Sequence, residues 1–492
     1  MSELSGKILV VAYIFPPLAR AGVHRTVRFV RYLAPLGWDI TVLTPDESYY
    51  PVNSPIDREL LKKIPASVKV EPTKIFRGVT KILELKARHA GKSHKPPIRE
   101  SNREERLKPS DAGTAHSNDH RLGEAVQTRR GQEGRRRHFF QRGKDFLSEL
   151  MSIPDKDVTW LPYAFPAALR LHRREHFDVI YSTAPPFTGH LVAYLVKKVT
   201  GLPWVADFRD PWARAPWKAE LMNGTLRGRA ADKLEAKFVR AADRVILNTD
   251  WAARDFSEFY GAAIAQKFVV IPNGFDPEDF AGVQFPQKKN KKLVITHTGS
   301  LYRKRDPLQF FDAVGKLVAS GQIKPEELEL RFVGGIAPEL YRSFQYAEAL
   351  QHVLHVIPPV SHREALAFQA ESDVLLILQP GTSVSVPGKI YEYIAMRKKI
   401  LALTPAGATA DVVRNYNLGF VVDPEDRVGI QRALLQLVSE FRNGGLAPIP
   451  ADGAFSKYDG VTLTKQLHEE LRGCIAPRHK PPVKNYCSAA SS

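Results

Sequence analysis

Short runs of continuous apolar residues alternate along this chain with stretches in which apolar positions recur every three or four residues. KILVVAYIF (Lys7 to Phe15) is apolar throughout, as a strand buried on both faces should be. A helical stretch follows from about Gly22, with Val23, Val27, Val30 and Leu33 on one face. DITVLTP, DVIYSTAP, WVADF and DRVILNT continue the series of strands. Between them lie a helix around Ala164 to His172 and the helix LVAYLVKKVTG, closed by Gly201. The breaker cluster VIPNGFDPEDF, with Pro272, Asn273, Gly274 and Pro277, interrupts the alternation. A second series starts at KKLVITHTG (Lys291 to Gly299) and runs through LELRFVGG, HVIPPV, VLLILQP, KILALTP and FVVDP. Helices are predicted between these strands, including HREALAFQAESD, PGKIYEYIAM, ATADVVRNYN with Gly419 as its C-cap, and a last one from Arg427 to Phe441.

Strand and helix alternating in this way predict parallel sheets built from βαβ units. The expected class is α/β, with two doubly wound parallel-sheet domains facing a cleft. The first spans residues 1–280 and the second 285–445. A C-terminal helix in 446–475 is expected to pack back on the first domain, and 476–492 to form a disordered tail. Ligands bind such sheets outside the carboxyl ends of the strands, so the loops after strands are where chemistry should sit.

Composition changes this picture little until the charge is located. The 492 residues carry 71 Lys+Arg and 53 Asp+Glu, a net charge of +18. From Lys81 to Lys144 there are 17 Lys/Arg against 8 Asp/Glu, and from Arg472 to the end 4 basic residues and no acidic one. Those two segments hold +13 of the excess, which leaves an ordinary folded body. The first, with no Phe, Trp or Tyr between Lys81 and His138, is expected to be a disordered basic insert in the first domain. Its end, RRGQEGRRRHFFQRGKDFLSEL near 129–150, sets Arg135 to Arg137 beside Phe139, Phe140 and Phe146, a pattern suited to an anionic membrane surface. A solvated linker feeding a core helix is the alternative. Nucleic acid is the poorer fit, because aromatic residues for base stacking are missing. Two cysteines, Cys474 and Cys487, exclude a disulfide scaffold and a Cys-based zinc site. No apolar run of 18 residues suggests a membrane span, and no targeting pattern precedes the first strand, so the expectation is a cytoplasmic protein, peripheral to the inner membrane face where the basic segment docks.

Five loops carry candidate chemistry. In FPPLARAGVHR, Gly22 follows a strand and opens a helix, where backbone can approach an anionic ligand, and Arg25 adds charge. The alternative is a plain turn followed by a solvated stripe of Arg25, Arg28 and Arg31. STAPPFTGH ends at His190, a candidate base, and VADFRDPW offers Asp207, Arg209 and Asp210, costly to bury unless they pair or face a polar ligand. HTGSLYRKRDP turns at Gly299 and presents Arg303, Lys304 and Arg305 at the mouth after a strand, cations for an anionic ligand or else a solvated charge run. PGKIYEYIAM places Gly388 and Lys389 before a helix and Glu392 within it. No metal-ligand cluster, P-loop or GxSxG elbow is present, so no metal or other cofactor is expected.

The ordered set FPP…GVHR, DVIYSTAPPFTGH, VADFRDPW, ADRVILNT, IPNGFD, HTGSLY and PGKIYEYIA resembles the family 4 (group 1) glycosyltransferases, which have the GT-B fold of two Rossmann-like domains. The resemblance covers nearly all the chain outside the basic insert and the tail. It implies a nucleotide-sugar donor held by the second domain, with one of Arg303, Lys304 or Arg305 and Lys389 on the diphosphate and Glu392 on the ribose. It also implies a glycan or lipid-linked acceptor in cell-surface polysaccharide synthesis, held by the first domain, and retention of configuration. Two positions depart from the family. Where many relatives have His after the equivalent of VADF, this chain has Arg209 and Asp210, and the first glutamate of the family's Glu-x7-Glu motif falls at Val384. Those departures keep open a nucleotide-sugar epimerase or a non-catalytic binder of the same fold, while a basic nucleic-acid or scaffold protein is the alternative from another class.

Overall fold

The computed structural model describes residues 5–51, 54–76, 153–215, 218, 222–285, 291–301, 306–335, 348–447, 449–450 and 452–475. The basic insert, the membrane-type segment near 129–150 and the tail lie outside the described residues, as do Arg303, Lys304 and Arg305.

Two wholly parallel sheets organise the chain. The first joins β1 (Gly6–Val11), β2 (Trp38–Pro45), β3 (Lys69–Thr73), β4 (Val179–Ala184), β5 (Trp204–Phe208), β6 (Arg244–Leu247) and β7 (Phe268–Val270) in the order β3-β2-β1-β4-β5-β6-β7. The second joins β8 (Leu293–Thr298), β9 (Leu328–Val333), β10 (Leu354–Ile357), β11 (Val374–Leu378), β12 (Lys399–Leu403) and β13 (Gly419–Val422) in the order β10-β9-β8-β11-β12-β13. Register is fixed by pairs such as Val10 with Val42 and with Tyr181, and Leu376 with Leu401. The strand order reverses between β1 and β4 and again between β8 and β11. Each reversal leaves a crevice at the carboxyl ends of its sheet, and the two crevices open into the space between the domains.

Helices cover both faces of each sheet, so the inner strands are apolar on both sides: Ile8, Leu9, Val10 and Val11 are all fully buried. One predicted end differs. Gly419 does not cap a helix; that helix closes at Asn415, Asn417 takes the left-handed turn (φ 49°), and Gly419 begins β13 against the backbone of Ile400.

The Val23–Leu33 helix is buried on more sides than its apolar period suggests. Arg25 and Arg28 are only 3% and 2% exposed, so they form no solvated stripe. Arg28 takes its cover from the chain's end. After the Asp452–Tyr458 helix, whose Ala454 and Tyr458 sit in the second domain's core, the chain crosses back. The Gly460–Ile475 helix then inserts Leu463, Leu467 and Leu471 among Ile8, Val10, Phe29 and Val30 of the first domain. Burying each leucine stabilises by roughly 1.5–3 kcal/mol. At the crossing the Phe275 N–H bonds the Tyr458 carbonyl at 3.1 Å, so the two interdomain passages run side by side.

Candidate active site

One wall of the interdomain cleft is built from the loops after β1 and β5. Gly22 heads the Val23–Leu33 helix with φ 90°, a left-handed conformation that β-carbon-bearing residues enter at a cost, and no side chain caps this helix. The space beside its α-carbon is taken by Arg209. Arg209 is 5% exposed, and its guanidinium donates to the carbonyls of Ala184 (3.2 Å), Ala21 (3.2 Å) and Pro185, with no carboxylate in ion-pair contact among the described residues. Asp210, next in the chain, faces the same cavity and makes no hydrogen bond among the described residues. Burial raises its pKa, against the pull of Arg209.

Arg25 is fully committed elsewhere. It forms a bidentate pair with Asp207 (Nε and Nη2 each 2.9 Å from a carboxylate oxygen) and donates to the carbonyls of Ile271 (2.9 Å) and Pro272 (2.7 Å) and to Asn273 Oδ1 (3.3 Å). It therefore ties the end of β5 to the passage between the domains. Arg28 is different: Nη1 donates to the Gly274 carbonyl at 2.6 Å, while Nε and Nη2 find no acceptor among the described residues. Burial, then the charge of Arg25, pull its pKa down to about 10.

The facing wall comes from the second domain. Glu392, in the Lys389–Ala395 helix, accepts from Gln369 Nε2 at 2.9 Å and lies 3.4 Å from His362 Nε2 and 3.5 Å from Lys389 Nζ. Burial opposes its ionisation, but Lys389 and His362 outweigh burial and hold the carboxyl at about 2. The loop before this helix reaches across, where the Val384 carbonyl accepts from Thr249 Oγ1 of the first domain at 2.6 Å. His362 also meets His24 of the first domain across the cleft, ring centroids 5.5 Å apart. Enclosure and the facing His362 both lower the His24 pKa.

The cavity between the walls measures about 530 Å³. Of the residues singled out from sequence, Gly22, Arg25, Asp210, Gly388, Lys389 and Glu392 line it together. Gly299 does not; it turns the chain after β8, its N–H on the Val333 carbonyl at 2.8 Å. His190 is also elsewhere: it is fully buried beside Phe208, its Nδ1 2.8 Å from Ser182 Oγ, and burial drives its pKa down to about 3. A neutral imidazole walled off by aromatic side chains has no path to a substrate in the cleft. Sequence reasoning missed His24, His362, Gln369 and Gln379. Only the helical period of HREALAFQAESD marked His362 and Gln369, and it says nothing of a partner 23–30 residues away on another element. Among the described residues no group of His, Cys, Asp or Glu is placed to hold a metal ion, and no helix is long and apolar enough to cross a membrane.

Residues 117–279 match the model for Glycosyltransferase Family 4 and residues 292–440 that for Glycosyl transferases group 1, together more than half of the chain. A curated D-inositol 3-phosphate glycosyltransferase from Nocardiopsis dassonvillei is 25% identical over 263 residues, half of this chain. The chain spans only 59% of that relative's length. Among solved structures, a glycosyltransferase from Rickettsia africae superposes with a TM-score of 0.57 at 13% identity, covering 96% of this chain and 99% of that one. The HepE protein of Anabaena, in complex with UDP and glucose, superposes with a TM-score of 0.56 at 14% identity, covering 95% of this chain and all of that one.

Proposed function

As the chain belongs to the family 4, group 1 glycosyltransferases of GT-B fold, we propose that its cleft moves a sugar from a nucleoside-diphosphate sugar to an acceptor hydroxyl, retaining the anomeric configuration and using no metal. The observation that carries this reading is the facing of two unlike walls across one cavity. On the second domain's wall the Glu392 carboxylate is held ionised and pre-oriented by Gln369, His362 and Lys389, a ready acceptor for the two hydroxyls of a ribose. Lys389, at the start of its helix, and Arg303 to Arg305 are the cations that would stabilise the departing diphosphate, doing the work a metal does elsewhere.

On the first domain's wall Asp210 is the carboxylate free to accept a hydrogen bond from the acceptor hydroxyl and aim it at the anomeric carbon. Arg28, with two unpaired donors, and Arg209, with no carboxylate partner, leave positive charge on the same wall. An acceptor with an anionic group close to its reacting sugar, such as a lipid-linked glycan or a sugar phosphate, suits that charge. The inositol 3-phosphate acceptor in the name of the Nocardiopsis relative is of this kind. A lipid-linked acceptor in turn suits a protein that works on surface polysaccharides at the inner face of the membrane, where the basic segment near 129–150 would meet anionic lipid.

Nucleotide release from a panel of UDP, GDP and ADP sugars, with and without lipid-linked glycan acceptors, tests the proposal. Acceptor-dependent release from one donor is expected. Interconversion of donor sugars with no acceptor present would replace transfer with epimerisation, and absence of turnover with every donor would overturn the enzymatic reading.

A further inference from the structure

The second domain's wall of the cleft carries a polar side chain that the catalytic reading above does not use. Gln379 follows directly on β11, beside β8, where the strand order of the second sheet reverses. It is 7% exposed and lines the cavity between the domains. Its backbone is committed to the sheet, the N–H to the Leu403 carbonyl at 3.0 Å and the carbonyl to Thr404 Oγ1 at 3.3 Å. The side-chain amide is idle. Oε1 is shielded from solvent and meets no donor, and Nε2 makes no hydrogen bond among the described residues. A half-turn about the last bond exchanges the two ends, so the amide can offer the cavity either its carbonyl or its NH2. Buried polar groups are nearly always satisfied, and an amide left unpaired against a cavity points to a partner from outside the chain.

The loop that follows is pinned from behind. Three successive carbonyls are engaged: Ser383 by the Ala408 N–H (2.7 Å), Val384 by Thr249 Oγ1 of the first domain (2.6 Å) and Ser385 by Thr409 Oγ1 (3.1 Å). With its backbone so held, the loop also lends Ser385 to the cavity lining, its hydroxyl 3.2 Å from Thr382 Oγ1. Gln379 and Ser385 thus add an uncharged amide and hydroxyl to the wall that carries Lys389 and Glu392. The charged pair suits the diphosphate and the ribose. Neither neutral group could offset a phosphate charge. What they match is a hydroxylated ring without charge, because a sugar hydroxyl both donates and accepts, as a primary amide does.

We propose that Gln379 reads the transferred sugar: its amide, with Ser385 beside the same cavity, hydrogen-bonds a hydroxyl of an uncharged hexose on the donor and sets the preference among such donors. This rests on the nucleoside-diphosphate-sugar reading above and names the side chain that selects the sugar. Because the amide has no partner within the fold, replacing it by an apolar group of similar size removes a contact to the donor and none to the protein.

Calorimetric titration of the full-length protein, wild type and Gln379→Leu, tests the assignment. The probes are UDP, GDP and ADP, and UDP-glucose, UDP-galactose, UDP-N-acetylglucosamine, GDP-mannose and ADP-glucose. Gln379→Leu should weaken the best-bound sugar nucleotide about 2–10-fold, the worth of one neutral hydrogen bond. The matching bare nucleotide should bind as before, and the urea midpoint should stay level or rise, an outcome that a structural glutamine would not give. Unchanged affinity for the sugar nucleotide would overturn the proposal. So would equal weakening of the bare nucleotide, which assigns the amide to the nucleotide, or a lowered midpoint, which assigns it to the fold. Failure of the wild type to bind any bare nucleotide would remove the nucleotide-sugar reading itself and this inference with it, so the two failures are told apart.

Discussion

The Arg209 guanidinium fills the space that a side chain on residue 22 would occupy: a β-carbon at Gly22 would fall on its Nη1 atom. Two independent constraints therefore require glycine, the left-handed φ of 90° and the arginine held in place by the carbonyls of Ala21, Ala184 and Pro185. Gly22→Ala should cost about 1–3 kcal/mol through backbone strain alone. Displacing Arg209 also moves Asp210 beside it, and a shift of about 1 Å at a reacting centre costs up to ~100-fold in rate. Urea denaturation should thus show a modest loss of stability alongside a disproportionate loss of kcat.

Arg25 and Asp207 form a buried pair that also holds Tyr181, whose hydroxyl donates to Asp207 at 2.6 Å. Removing one partner leaves the other charge uncompensated, so Asp207→Ala should destabilise by about 3–5 kcal/mol. The pH dependence has a definite sign. Burial opposes ionisation of Asp207, but Arg25 more than compensates and its folded pKa lies below the unfolded value of about 3.9. Its contribution is then complete above about pH 3.9 and is lost as pH falls through the folded value. Denaturation midpoints measured from pH 7 down to 3 should fall for the wild type and change less for Asp207→Asn.

The strands were legible in the chain because apolar runs buried on both faces leave little else they can be, and the switch-point cleft follows from their order. Gly22 and Lys389 were legible for a related reason, since loops after parallel strands have one place to go, whereas Glu392 was marked by the resemblance of PGKIYEYIA to the family's motif. The partners of those residues were not. Arg25 meets Asp207 across 182 positions and the interdomain passage across 246–248, distances over which no periodicity carries information. Reading Arg25 and Arg28 as solvated follows from their own helix alone; Arg25 is enclosed by Asp207 and the interdomain passage, and Arg28 by Gly460, which packs against its side chain from the far end of the chain. His190 shows the converse, a polar residue at a helix start that the sheet's crossover points into the aromatic core.

His190 should accordingly matter to the fold and not to the reaction. Ser182 Oγ bridges it to the Trp204 indole, which donates to the same oxygen at 2.8 Å. His190→Ala removes that link and opens a cavity among Phe187, Phe208 and Phe238, for a loss of roughly 2–4 kcal/mol. With the ring neutral above about pH 3, kcat per folded molecule should keep its pH profile. A shifted profile in an active-site titration would restore His190 to the chemistry.

Glu392 is held at about 2, so it is ionised at every working pH and the donor KM should be flat from about pH 5 upward on its account. On the proposed reading, Glu392→Gln keeps one acceptor oxygen and removes one charge-assisted hydrogen bond to the ribose. At about 1.5–3 kcal/mol for hydrogen bonds to a charged group, and roughly 1.4 kcal/mol per tenfold, the donor KM should rise about 10–100-fold. Binding lost equally from ground and transition states leaves kcat nearly unchanged. Equal loss in kcat would instead assign Glu392 to the transition state.

Asp210 carries the opposite electrostatic signature, and its test separates acceptor from donor. Burial raises its pKa above the usual carboxylate value of about 3.9, and the ionised form is the stronger, charge-assisted acceptor for a sugar hydroxyl. The acceptor kcat/KM should therefore fall as pH drops through this raised value, while the donor KM stays level. Asp210→Asn should cost about 100-fold in acceptor kcat/KM through lost alignment and remove that acidic limb. Its effect on stability has the reverse sign to that of Asp207. A raised folded pKa means the fold disfavours the charge at neutral pH, so the neutral amide should leave the denaturation midpoint unchanged or slightly higher at pH 7. A variant that loses activity together with stability would show that Asp210 supports the loop and does not face the acceptor.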